Sequence, residues 1–99
     1  MSFVMIVPDT LSTTAANLQV IGSAMNAQNI AAAGPTTGVI PAAADEVSAL
    51  TAAQFAAYAQ MYQAVSAQAA AVHESLVNVL VLSANSYAAT EAANVIAAS

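Results

Sequence analysis

Residues 55–79 read FAAYAQMYQAVSAQAAAVHESLVNV, and in them Phe55, Tyr58, Tyr62, Val65, Ala69, Val72, Leu76 and Val79 recur at alternating steps of three and four. Side chains spaced in this way line one face of an α-helix. Kept up over more than three heptads, the pattern is a coiled-coil-like seam, narrower than the broad stripe of a globular helix. Val47, Leu50, Ala57, Met61, Ala64, Ala71 and Leu82 make a second stripe, diluted by Gln54, Gln68, Ser75 and Asn78. Asp45, followed by Glu46, supplies an N-cap for this helix, whose expected span is about residues 45–84.

Upstream lies the punctuation. Gly34, Pro35, Gly38 and Pro41 fall in one short stretch, four of the six glycines and prolines in the chain. Proline removes a backbone donor and glycine opens the left-handed region, so together they end one helix and start a loop, expected at about residues 34–44. A first helix is expected over about residues 8–33, with Pro8 near its first position and Asp9 in its first turn facing the free N–H groups.

In this first helix Leu11, Ala15, Leu18, Gly22 and Met25 follow a 4-3-4-3 pattern with Ile21 beside them, while Val20, Ala24, Ala27 and Ala31 form a second stripe of smaller residues. Gly22 costs roughly 1 kcal/mol against alanine inside a helix. Its use is either the close approach of a neighbouring backbone or none, as a tolerated surface glycine.

The expected fold is all-α, two long antiparallel helices in a hairpin. At 1.5 Å per residue they measure on the order of 35 and 60 Å. A two-helix hairpin satisfies one stripe on each helix, and both helices carry two. Either stripe could close the hairpin; the other then exposes an apolar strip far larger than soluble monomers usually show. A partner protein is the economical cover, with Leu11, Leu18, Met25, Phe55, Tyr58, Tyr62, Val65, Val72 and Leu76 as the candidate interface residues.

Composition narrows the partner. None of the 99 residues is lysine or arginine, 60% are hydrophobic, and only Asp9, Asp45, Glu46, Glu74 and Glu91 are acidic. Nucleic acids, phosphates and anionic lipid surfaces are bound mainly through Lys and Arg, so no nucleic-acid partner is expected. Contacts must be apolar, or hydrogen bonds from Ser, Thr, Asn, Gln and Tyr. Alanine is the commonest residue and buries little area, so a tight globular core is not expected from a chain of this length. Residues 3–7 are apolar but lack a basic flank and fall short of a secretory signal peptide, so a conventional export route is unsupported. The most apolar later window, residues 64–82, contains Gln68, His73, Glu74 and Asn78. One carboxylate at mid-bilayer costs roughly 2.5–3.5 kcal/mol, which argues against a membrane span.

Chemistry has little to work with. His73 is the single histidine and there is no cysteine. A triad would need His73 oriented by a carboxylate, but Glu74 is its sequence neighbour and points about 100° away around the helix. No catalytic residue, cofactor site or metal site is expected, since a metal needs three or four ligands at compatible spacing. His73 reads as a helix-surface or partner-facing side chain. Tyr58 and Tyr62, four apart, either stack on a ligand ring or pack in a helix interface with their hydroxyls at its wet edge.

Residues 85–99 hold Asn85, Ser86 and Thr90, which suggest a frayed, flexible tail; Tyr87 and Glu91, four apart, would share a face if a turn formed. Several segments together resemble the mycobacterial PE family: the start Met1-Ser2-Phe3-Val4, the pair Pro8-Asp9, the block from Pro35-Thr36-Thr37-Gly38-Val39-Ile40-Pro41 through Ala42-Ala43-Ala44-Asp45-Glu46-Val47-Ser48, and the closing Ser86-Tyr87-Ala88-Ala89-Thr90-Glu91. The resemblance covers essentially the whole chain. It departs at one point, because the Pro-Glu that names the family is here Pro8-Asp9, which keeps the charge.

That resemblance implies a hairpin domain over residues 1–84 that pairs with a PPE-family protein, completing a four-helix-type bundle. It also implies export through a type VII (ESX) secretion system, to the medium or the cell surface, with an export chaperone binding through the PPE partner. The family's tyrosine-x-x-x-acid secretion signal falls on Tyr87 and Glu91. Many relatives carry large C-terminal extensions, and a sequence of this length looks like the bare module. The competing expectation is a membrane-associated or pore-forming envelope protein, which the apolar stripes permit and the missing basic residues disfavour.

Overall fold

The computed structural model describes residues 6–99, so the Met1-Ser2-Phe3-Val4 motif and most of the apolar 3–7 patch lie outside the described residues. Two helices, α1 (Pro8–Thr37) and α2 (Glu46–Ala98), form an antiparallel hairpin, with no strand among the described residues. The molecule extends 81 × 25 × 16 Å with a radius of gyration of 22.8 Å, against about 13 Å for a globular domain of this size. It is a rod.

Helix α1 starts on Pro8, whose missing N–H falls where a helix has no partner to offer, and the extended Val7 carbonyl accepts from the N–H of Thr10 and Leu11 at 3.0 and 3.3 Å. It runs four residues beyond the expected end at residue 33. Gly34 and Pro35 are helical, because a proline this close to the C-terminus forfeits only the bond its N–H would have made to Ala31. Thr36 and Thr37 hydroxyls donate to the carbonyls of Ala32 and Ala33 at 2.6 Å, and the Gly38 N–H closes the end on Gly34 at 3.0 Å. Gly38 has φ −106°, so the turn does not use the left-handed conformation expected of its glycines.

Helix α2 is capped by Asp45, whose carboxylate accepts from the Ser48 N–H at 2.6 Å. It continues to Ala98, where a helix ending near residue 84 and a tail beyond were expected. Ser83, Asn85, Ser86 and Thr90 are polar without being helix breakers, no glycine or proline follows Pro41, and alanine, the strongest helix former, fills the rest.

The helices meet mostly through small and polar side chains, with Leu11, Leu18, Val77 and Leu80 the larger apolar exceptions. On α2 the half-buried and buried residues are Ser48, Ala52, Ala56, Ala59, Gln63, Ser66, His73, Val77, Leu80, Ser83 and Ala84; on α1 the matching face carries Leu11, Ala15, Leu18, Gly22, Asn29, Ala33 and Thr37. Among the described residues only Ala15, Ala52, Val77 and Ala84 are buried apolar residues, so the hairpin has almost no core of its own. Register is set by hydrogen bonds: His73 lies opposite Leu18, and Tyr62 and Gln63 lie opposite Asn29. Carried outward, that register sets Pro8 near Ala84, and residues 85–98 of α2 project beyond α1 by about 20 Å.

Candidate functional site

Two polar joints tie the hairpin. At the first, His73 Nε2 lies 2.6 Å from the Leu18 carbonyl; a carbonyl only accepts, so Nε2 carries the hydrogen and donates. The ring fits because residue 22 is glycine: a Cβ there would stand 2.6 and 2.7 Å from His73 Cδ2 and Nε2. Gly22 therefore serves a close approach, by a side chain where a backbone was expected. His73 is a half-buried seam residue, neither a helix-surface nor a partner-facing one. At the second joint, the Tyr62 hydroxyl donates to Asn29 Oδ1 at 2.7 Å and Gln63 Nε2 donates to the Asn29 carbonyl at 2.9 Å.

The expected interface residues divide between two surfaces. Leu11 and Leu18 are half-buried and share the α1 face that meets α2, so they close the hairpin. Phe55, Tyr58, Tyr62, Val65, Val72 and Leu76 are 49–70% exposed. These six, with Ala69 and Val79, lie about 100° around α2 from the seam, as follows from their numbering at 3.5 residues per turn. The coiled-coil-like pattern in residues 55–79 thus belongs to a face that α1 leaves uncovered. On α1, Met25 is 60% and Ile21 50% exposed. The second α2 stripe, with Val47, Leu50, Met61 and Leu82 at 61–73% exposure, is also open.

Tyr87 is 42% exposed and Glu91 is exposed, both on the part of α2 that projects beyond α1. Four residues apart on a continuous helix, they share one face. The Asp45 carboxyl is held below its ordinary value of 3.8, first by the Ser48 backbone N–H and then by the Ser48 side chain, against a small opposing effect of burial. Among the described residues no three His, Cys, Asp or Glu side chains come together as metal ligands.

A rod of two helices closed mostly by small and polar residues, with most of its bulky apolar side chains turned outward, is by construction a helical hairpin with an uncovered face. The sequence model for the PE family matches residues 4–94, and the chain belongs to that family. It is 64% identical to the PE family protein PE13 of Mycobacterium tuberculosis over 99 residues, the whole of both chains. It is 56% identical over 94 residues to PE8 and 59% identical over 91 residues to the PE-PGRS family protein PE_PGRS11, both of the same organism. The aligned region is 95% and 92% of this chain but 34% and 16% of those two relatives.

Proposed function

We propose that this chain is a non-enzymatic interaction protein that pairs with a PPE-family protein through the face carrying Phe55, Tyr58, Tyr62, Val65, Val72 and Leu76, and is exported as that pair by a type VII secretion system. The observation that carries the reading is the exposure of this stripe beside a hairpin with only four buried apolar residues among those described. Each helix of a four-helix bundle touches two neighbours on faces roughly a right angle apart. A stripe about 100° from the seam suits that geometry.

Size supports the same reading. Residues 50–79 span about 45 Å, and two helices about 10 Å wide offer on the order of 900 Å² to a partner. That is the share one side contributes to a specific interface of standard size. The charge-poor stripe calls for an apolar partner face. In this reading Tyr87 and Glu91 form the export signal, displayed on the projecting end of α2, and an export chaperone binds through the PPE partner. Co-expression with candidate PPE proteins, one carrying an affinity tag, tests it. A soluble one-to-one complex is expected, and recovery of the chain alone as a monodisperse, cooperatively folding monomer would overturn it.

A second reading, association with the envelope membrane, has one observation in its favour: α2 is long and apolar enough to cross a bilayer by length and composition. Glu74 and His73 within that stretch, and the absence of any basic residue for lipid headgroups, weigh against it. Flotation with lipid vesicles, with and without the PPE protein, separates the two readings.

A further inference from the structure

Between the two polar joints the seam does not close. Continuing the heptad count from Leu18 and Gly22 on α1, and from Gln63 and Ser66 on α2, brings Met25 and Ala70 to seam positions. Yet Met25 is 60% exposed and Ala70 is exposed. A groove of ≈ 620 Å³ remains there, lined by Gly22, Met25, Ala69 and Ala70 and by polar side chains that include Asn26, Ser66 and the carboxylate-bearing Glu74. The α2 side chains at this level are too short to reach α1. The helices cannot close the gap by moving together, because the His73–Leu18 contact on one side and the Asn29 contacts on the other hold their separation.

The groove opens onto the stripe assigned above to the partner, since Tyr62 and Val65 also border it. Along that stripe the bulky side chains Phe55, Tyr58, Tyr62 and Val65 are separated from Val72, Leu76 and Val79 by a single small residue, Ala69. The ridge therefore has one notch, at the level of the groove. Helices dock by setting the side chains of one into the gaps of the other, so a helix laid on this face must send side chains into the notch or leave it as a void. The chain has no cation and Glu74 lines the groove, so an acidic side chain entering the notch would lose water and meet a like charge.

We propose that the groove at Gly22, Met25, Ala69 and Ala70 is a socket that receives the bulky apolar side chains of about one turn of a partner helix. This rests on the pairing with a PPE-family protein proposed above, and makes that pairing depend on shape at one place. Filling the socket should block it. Ala70→Leu puts a branched side chain where the partner would enter, while the neighbouring Ala71→Leu adds the same atoms on the side of α2 away from both seam and stripe.

Each variant is co-expressed with a PPE protein that retains the wild-type chain, and the recovered partner is quantified after tag purification, with helix content checked by far-UV circular dichroism. Ala70→Leu is expected to lower recovery at least tenfold with helicity preserved, and Ala71→Leu to leave it unchanged. A photo-crosslinking residue in place of Met25 should capture the partner, and one in place of Ala71 should not. Equal recovery of Ala70→Leu and wild type overturns the socket and leaves the pairing intact. Failure of the wild type to retain any PPE protein overturns both. A wild-type chain that is dimeric alone and becomes monomeric on Ala70→Leu makes a second copy the occupant, and the proposal is then wrong.

Discussion

Gly22→Ala inverts its sign according to what stands at residue 73. Inside a helix alanine is favoured over glycine by about 1 kcal/mol, so on α1 alone the change is stabilising. In the hairpin the new methyl would sit 2.6 Å from His73 Cδ2 and 2.7 Å from Nε2, well inside contact distance. The ring must move, and in moving it gives up its hydrogen bond to the Leu18 carbonyl. Overpacking of this kind costs about 1–3 kcal/mol, and the lost bond about 0.5–1.5 kcal/mol, nearer the lower figure because a half-buried imidazole can find water. The net expectation is destabilisation by about 1–2 kcal/mol in the wild-type background. With His73→Ala the obstacle is gone, and Gly22→Ala should stabilise by about 1 kcal/mol. The double-mutant cycle then gives a coupling of about 2–3 kcal/mol. Denaturant unfolding followed at 222 nm, on the four proteins in the assembly in which each purifies, measures it. A stabilising Gly22→Ala with His73 in place would refute the joint.

Val65→Asp or Leu76→Asp should abolish partner recovery, because an unpaired carboxylate buried in an apolar interface costs several kcal/mol, whereas Gln60→Asp, off the stripe, should be tolerated in the same pull-down. With no basic side chain in the chain to form ion pairs, the complex should survive about 1 M NaCl in size-exclusion chromatography. Asp45 titrates below 3.8 in the folded chain, so its cap is intact at neutral pH and is lost as pH falls through that lowered value. Acid unfolding of Asp45→Asn, which keeps an uncharged cap, should therefore lack this contribution to the pH dependence in a circular-dichroism titration. Tyr87→Ala with Glu91→Ala should leave the pair and its Tm nearly unchanged while secretion into culture medium falls, as read by immunoblot of filtrate; loss of the complex would show that the two residues are structural.

The hairpin was legible because its two signals are local. Alternating three- and four-residue steps define a helix wherever they occur, and the cluster at residues 34–41 has to contain the turn. Helix ends were read less well. Pro35 breaks a helix only where residues four before it need its N–H, and two threonine hydroxyls and Gly38 finish the turn that it weakens. Beyond Ala84 the polar residues suggest fraying, although Ser and Asn cost a helix only tenths of a kcal/mol each among so many alanines. The division between seam and open face was the least visible. Hydropathy ranks Phe55, Val65 and Leu76 above Ala52, Gln63 and His73, yet the second group is the one that α1 covers. The available sign was pairing across the turn: Gly22 and His73, or Asn29 and Tyr62, make sense only together, and a periodicity read on one helix at a time does not compare them.

Why small residues inside and large ones outside follows from what a two-helix hairpin can gain. Two helices alone bury too little area to fold stably whatever lines their seam, so bulky residues there would still leave the chain marginal. In the proposed pairing the same residues, placed on the outer flank, would be covered by two further helices, and folding would draw on the partner's binding free energy. The cost of such an arrangement is an ill-defined free state, and the two joints answer it. His73 against Gly22 and Leu18, with Tyr62 and Gln63 on Asn29, holds register and separation without a bulky apolar core. The face is thereby shaped before a partner arrives, which reduces the ordering cost of association. A seam of alanines without these joints could slide by a heptad with little loss, and the stripe on α2 would then meet a different part of α1. Polar contacts are weak in net stability, but they are directional, and direction is what an alanine seam lacks.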